Sequence, residues 1–243
     1  MQILYILVYQ PLYNALIFFY NIIPGHDFGV AIILTTLILK SLLFPLSKKQ
    51  ITSQKKMQEL QPKIKEIQQK HQNDKEKQTK ALMTFYKENK ANPLSGCLPL
   101  IMQLVFLIAI YRVIISISQA GFIVNTGDLY VFITNPGPIN HLFLNFVDIT
   151  KPSYVLAFFS AIAQYYQTKM LFQNQNTNKS SEPASAEPDF AAIMNKQMIY
   201  LGPGLTFFIG ARFPAALALY WLVSTLFMLF QQISIFQPKL KEK

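Results

Sequence analysis

The residue most able to do chemistry in this chain is Lys40, the single charge in the apolar stretch GVAIILTTLILKSLLFPLS (29–47). A lysine near the centre of a membrane helix costs about 2.5–3.5 kcal/mol on insertion scales, so its presence asks for a compensating role. One account is snorkelling: Ser47 lies roughly 10 Å further along a helix, and a lysine stem covers part of that distance. The other is a wet cavity inside a helix bundle. Polar residues in this and other apolar stretches would share it: Thr35 and Thr36, Gln103, Gln164 and the Tyr220-Trp221 pair. None of those stretches contains Asp or Glu. A chamber built from them therefore has net positive potential, which suits an anionic group and argues against a cation pump.

Other chemical motifs are weaker. Ser53-Gln54-Lys55-Lys56 fits the S-x-x-K nucleophile pattern, but its companion motifs are missing and it sits in a lysine-rich segment. G-x-x-x-x-G-K-[ST], G-x-G-x-x-G and H-E-x-x-H do not occur, so nucleotide hydrolysis, dinucleotide chemistry and zinc proteolysis have no support. The one cysteine, Cys97, and three scattered histidines, His26, His71 and His141, give no disulfide framework and no ligand pattern for a metal. No enzyme, cofactor or metal site is expected.

The elements that would position Lys40 are membrane helices. Apolar residues make up 51% of the 243, charged residues only 14%, where a soluble domain carries about a quarter. Mean hydropathy is +0.26. The sequence predicts an all-α polytopic membrane protein with five core transmembrane helices, at 28–47, 95–117, 152–172, 196–212 and 214–236. Arg212 and Pro214 close the fourth, giving a tight hairpin with the fifth. Residues 1–25 are uncharged, aromatic-rich and punctuated by Pro11, Asn14 and Asn21. They form either a sixth span or an amphipathic helix lying in the interface. Residues 173–195 read as a polar linker, and 237–243 as a basic tail.

Between the first two spans, residues 48–90 hold twelve lysines against five acidic residues, whereas the loop 118–151 holds only Lys151. The positive-inside rule places the lysine-rich insert, the linker and the tail in the cytoplasm and the 118–151 loop outside. The insert, 48–91, reads as a helical hairpin. Met57, Leu60, Ile64 and Ile67 recur at helical spacing, Pro62 is expected to turn or bend that run, and Asn73 with Glu76 offers a capping box for a second helix. Its lysines, Lys48, Lys49, Lys55, Lys56, Lys63 and Lys65 among them, suit anionic lipid headgroups, or else a docking surface for ribosomal RNA or an incoming nascent chain. No nucleic-acid fold motif accompanies them, so no nucleic-acid specificity is expected.

Several ordered stretches are familiar: QPLYN (10–14), ILTTLILKSLLFPLSKKQ (33–50), LQPKIKEIQQK (60–70), NPLSGCLP (92–99), LIMQLVFLIAIY (100–111), FLNFVDITKPS (143–153) and FPAALALYWLVSTLFMLFQQ (213–232). Together they resemble the YidC-type membrane protein insertases, with their mitochondrial and thylakoid relatives, over nearly the whole chain. The resemblance implies a bacterial plasma-membrane protein with five core helices, a cytoplasmic hairpin and an outer amphipathic helix. It also implies a hydrophilic groove open to cytoplasm and lipid and closed outside. Lys40 falls where the family usually has arginine; it keeps the charge but lacks the planar fork that grips a carboxylate bidentately. Gln103, Gln164 and Trp221 fall where groove-lining residues lie. Ala216 replaces a common glycine and Thr225 a common asparagine. Neither the large outer domain of some members nor the lipoprotein-type leader of others is expected. The implied activity is insertion and folding of nascent membrane proteins without nucleotide, with ribosome and Sec-type translocon as further partners. A small transporter or anion channel using Lys40 is the alternative, though the spans show no internal repeat.

Overall fold

The computed structural model describes residues 2–92, 98–172 and 190–236. Cys97, residues 173–189 of the expected linker and the 237–243 tail lie outside them. The described chain is almost entirely helical. A short α1 (Gln2–Leu4) passes through a π-helical stretch (Tyr5–Tyr9) into α2 (Gln10–Ile22), with Pro11 in the first turn of α2. Tyr9 and Gln10 are themselves helical, so the N–H that Pro11 lacks falls where the π-helical stretch gives way to α-helix. Gly25, at φ +82°, then reverses the chain. Asp27 caps α3 (Phe28–Leu42), its Oδ1 accepting from the Val30 N–H at 3.0 Å.

The span expected at 28–47 is interrupted. The helix ends at Leu42 and restarts as α4 (Phe44–Lys70) after a bend of 68°. Pro45 explains the break: a proline one residue into α4 has no N–H to continue the ladder and disfavours helical backbone just before it. Pro62, expected to turn or bend the run, does not interrupt it. α4 runs on through Pro62 for 27 residues, since one missing N–H on an exposed helix leaves a carbonyl that water can reach while the bonds on either side persist. The cap of α5 (Lys75–Glu88) is Asp74 rather than Asn73; its carboxylate accepts from the Lys77 N–H at 3.0 Å. That backbone bond, then the Lys77 ammonium, hold the Asp74 carboxyl below the usual carboxylate range. Gln78 donates to the Gln68 carbonyl at 2.8 Å and ties the arms of the hairpin together.

The remaining elements are α6 (Leu98–Gln119), a loop with a 3-10 turn (Thr126–Asp128) and a β-hairpin, and then α7 (Tyr154–Phe172), α8 (Phe190–Gly210) and α9 (Ala215–Phe236). The hairpin pairs β1 (Leu142–Phe143) antiparallel to β2 (Val147–Asp148). α8 begins at Phe190, inside the segment expected as linker; FAAIMNKQM carries helix-favouring Ala, Met, Lys and Gln that extend the helix upstream. Ala215, Ala216 and Ala218 are buried at the start of α9. With Gly210, where an added Cβ would stand 3.0 Å from that of Ala157, they let α7, α8 and α9 approach closely.

By length and composition Ile101–Gln119 and Ala215–Phe236 can each cross a membrane, and the bent pair α3 and α4 makes a third if taken as one span. Large apolar side chains point outward from the bundle, among them Leu104, Ile108, Phe158, Leu205 and Phe230. The main core lies at the end of the bundle that carries the 120–153 loop, where Leu12, Tyr13, Leu16 and Ile17 of α2 meet Ala31, Ile32, Ile110 and Val113.

Candidate functional site

At the loop end, polar side chains of α2 grip the loop through long-range hydrogen bonds. Asn14, 1% exposed, donates to the Asp128 carbonyl at 2.8 Å and accepts from the Tyr130 N–H at 2.6 Å. The Tyr13 and Tyr20 hydroxyls accept from the N–H groups of Asn125 and Asn140, each at 2.8 Å. Tyr5 donates to the Asp128 carboxylate. Asp27 uses its second oxygen to hold the Leu144 N–H at 2.6 Å, so one carboxylate both caps α3 and pins the β-hairpin. The backbone of α9 joins in, Ala216 N–H donating to the Ile149 carbonyl at 2.9 Å.

Away from this network lies the cluster around Lys40. Its Nζ donates to Gln103 Oε1 at 3.3 Å, and Ser224 Oγ donates to the same oxygen at 2.8 Å. α3, α6 and α9 thus meet at one carbonyl oxygen. The Gln103 Nε2 is buried without a partner. One turn earlier on α9, Trp221 Nε1 donates to Gln164 Oε1 at 3.3 Å, and Gln164 Nε2 donates to Thr168 Oγ1 at 3.3 Å. Among the described residues no carboxylate pairs with Lys40, whereas Lys77 pairs with Asp74, Lys80 with Glu76 and Lys151 with Asp148. The result is a cation whose only described hydrogen-bond acceptor is a neutral amide.

The candidates from the sequence divide accordingly. Lys40 and Gln103 come together, as do Gln164 and Trp221. Thr36 is buried but its hydroxyl donates to its own helix, at the Ile32 carbonyl, 2.6 Å away. Tyr220 is buried with its hydroxyl unpartnered, and so is Thr35. Sequence reasoning missed Ser224 and Thr168, which lie one helical turn after Trp221 and Gln164 respectively. Lys48, Lys49, Lys56 and Lys63 are exposed on α4, Lys65 is half-buried, and Lys55 lies 5.9 Å from the Phe236 ring centre. Ser53 and Lys56 are both exposed, without the enclosed setting that activates an S-x-x-K nucleophile.

A family model described as "60Kd inner membrane protein" matches residues 18–243. The chain belongs to this family. A relative from Oceanobacillus iheyensis, named "Membrane protein insertase YidC", is 33% identical over 223 residues, covering 90% of this chain and 78% of that protein. A protein of the same name from Geotalea daltonii is 33% identical over 229 residues, 93% of this chain but 36% of its own length. The crystal structure titled "Active YidC insertase crystal structure with the first transmembrane domain resolved" superimposes with a TM-score of 0.56 at 25% identity, over 95% of this chain and 47% of that one. This member of the 60Kd inner membrane protein family therefore spans about a third of the Geotalea protein and about half of the crystallised chain. It is a helical membrane protein.

Proposed function

We propose that this chain is a membrane protein insertase working through the Lys40 cluster. The observation that carries the reading is a cation held by a neutral amide between α3, α6 and α9, away from the α2–loop network. In this reading α3, α6, α7, α8 and α9 all cross the plasma membrane of a bacterium, the basic hairpin α4–α5 lies in the cytoplasm, and α2 lies at the outer interface.

Moving a polar segment across roughly 30 Å of hydrocarbon is prohibitive, because each unsatisfied backbone group costs several kcal/mol. A polar cleft entered from the hairpin side shortens that path. Lys40 attracts acidic residues in the translocated tail, since the Gln103 oxygen leaves its charge uncompensated. Gln164 and Trp221 offer further hydrogen-bonding groups along the wall. Partitioning of the substrate's own helix, about 0.3–0.6 kcal/mol per Leu, Ile, Phe or Val, then carries it into lipid. No nucleotide is needed. The lysines of the hairpin approach anionic lipid headgroups, and a ribosome or Sec-type translocon is the natural supplier of chains.

The test is protease-protected insertion of single-span substrates into liposomes, without nucleotide. Wild-type chain should protect an acidic-tailed substrate. Lys40→Ala and Lys40→Glu should lower that yield about tenfold, with the larger loss for glutamate, while leaving a neutral-tailed substrate nearly unaffected and helicity unchanged. Undiminished insertion of the acidic-tailed substrate by both variants would remove Lys40 from the mechanism.

A further inference from the structure

The Lys40 cluster leaves a second set of buried polar side chains without a role. At the hairpin end, the root of α4 packs against α7 and α9, and the face it buries there is Gln50, Ile51 and Gln54. Gln58, one turn further on, donates to the Leu171 carbonyl near the end of α7. From α9 come Gln231 and Gln232, 3% and 1% exposed. An interface between helices would ordinarily be apolar; α4 brings to this one glutamines at four-residue intervals, beside Ile51.

The amides are not spent on one another. Oε1 of Gln54 and Gln58, Nε2 of Gln231, and both Oε1 and Nε2 of Gln232 are buried with no hydrogen-bond partner. Donors and acceptors are both present. Buried polar groups without partners are unfavourable, so this face holds the root of α4 less firmly than leucines would. A contact weakened in this way separates easily, and separation exposes a neutral surface offering N–H and C=O groups.

The chemistry of that surface defines its ligand. A glutamine side chain carries the same amide as the peptide backbone, one acceptor oxygen beside N–H donors. A row of them pairs with any extended main chain whatever its side chains. Lysines on the exposed faces of α4 select by charge; the glutamines do not. We propose that the cluster of Gln50, Gln54, Gln58, Gln231 and Gln232 is a binding site for the main chain of an extended, unfolded polypeptide segment, reached when the root of α4 lifts from α7 and α9. The proposal rests on the insertase reading, which supplies such segments, and adds the recognition of their polar, uncharged stretches.

The experiment measures binding of a short uncharged Gly/Ser/Asn peptide to the full chain in lipid nanodiscs, beside the same peptide N-methylated at alternate residues. N-methylation removes backbone donors and leaves the side chains alone. The expected result is binding of the parent peptide, weakened about tenfold by methylation. The variant carrying Gln54→Leu, Gln231→Leu and Gln232→Leu should bind the parent about tenfold more weakly and exchange its α4 amide hydrogens at 50–58 more slowly. No binding of the parent, equal affinity for both peptides, or undiminished affinity in the variant overturns the proposal. Should the variant fail to fold, the two peptides on wild-type chain decide alone. Peptide binding with no insertion of acidic-tailed substrates counts against the insertase reading and supports the site; insertion without methylation-sensitive binding removes the site alone.

Discussion

The two ends of the bundle both bury polar side chains, and they treat them in opposite ways. At the loop end Asn14, Tyr13, Tyr20 and Asp27 each bond to a backbone group more than a hundred residues away. At the hairpin end Gln54, Gln231 and Gln232 are also buried, yet leave amide atoms without partners. A paired buried polar group fixes one arrangement, whereas an unpaired one penalises the arrangement that buries it. The difference assigns permanence to one end and readiness to open to the other, with Lys40 between them.

That contrast can be broken by substitution. The largest effect should come from Asn14→Leu, which leaves the Asp128 carbonyl and the Tyr130 N–H unpaired in the core; a loss of about 3 kcal/mol is expected, read by thermal unfolding in detergent. Gly29→Ala should follow. Its new Cβ would run into the Phe143 side chain near its own Cβ, so the β-hairpin must shift, at about 2 kcal/mol by the same measurement. Gln232→Leu at the other end should do the reverse and raise stability by about 1 kcal/mol, because it removes two unpaired polar atoms. A destabilisation there as large as that of Asn14→Leu would erase the contrast. The smallest effect is local. Asp74 has a lowered pKa in the folded chain, so its cap is fully present above the unfolded value of about 3.9 and is lost as pH falls through the folded one. Hydrogen exchange in the first turn of α5 should quicken there, with the bundle unchanged.

The parts of this architecture that are legible in the sequence are those written in composition and periodicity. Lys40 stands out because a lone charge in an apolar run is costly, and Gln103, Gln164 and Trp221 because polar groups are few in such stretches. Spacing alone could not show that Lys40 meets Gln103 while Thr36 turns back on its own helix; that depends on which face of α3 meets α6. Ser224 is small and unremarkable in LYWLVSTLF. The glutamines escaped for a different reason. Gln50 and Gln54 sit among lysines and read as solvated, and only the packing of α4 on the bundle buries them. Pro45 and Pro62 are the same residue type with opposite outcomes: the first stands where a helix restarts after a bend, and the second lies within a continuous helix.

The bend at Leu43 and the continuity of α4 together make a lever. α4 has 27 residues, about 40 Å at 1.5 Å per residue, so a rotation of about 10° at its root sweeps the far tip through about 7 Å. A change in a few backbone torsions between Leu42 and Pro45 is thereby converted into a displacement wider than a peptide strand, and a push on the hairpin tip is returned to the Lys40 helix with the corresponding mechanical advantage.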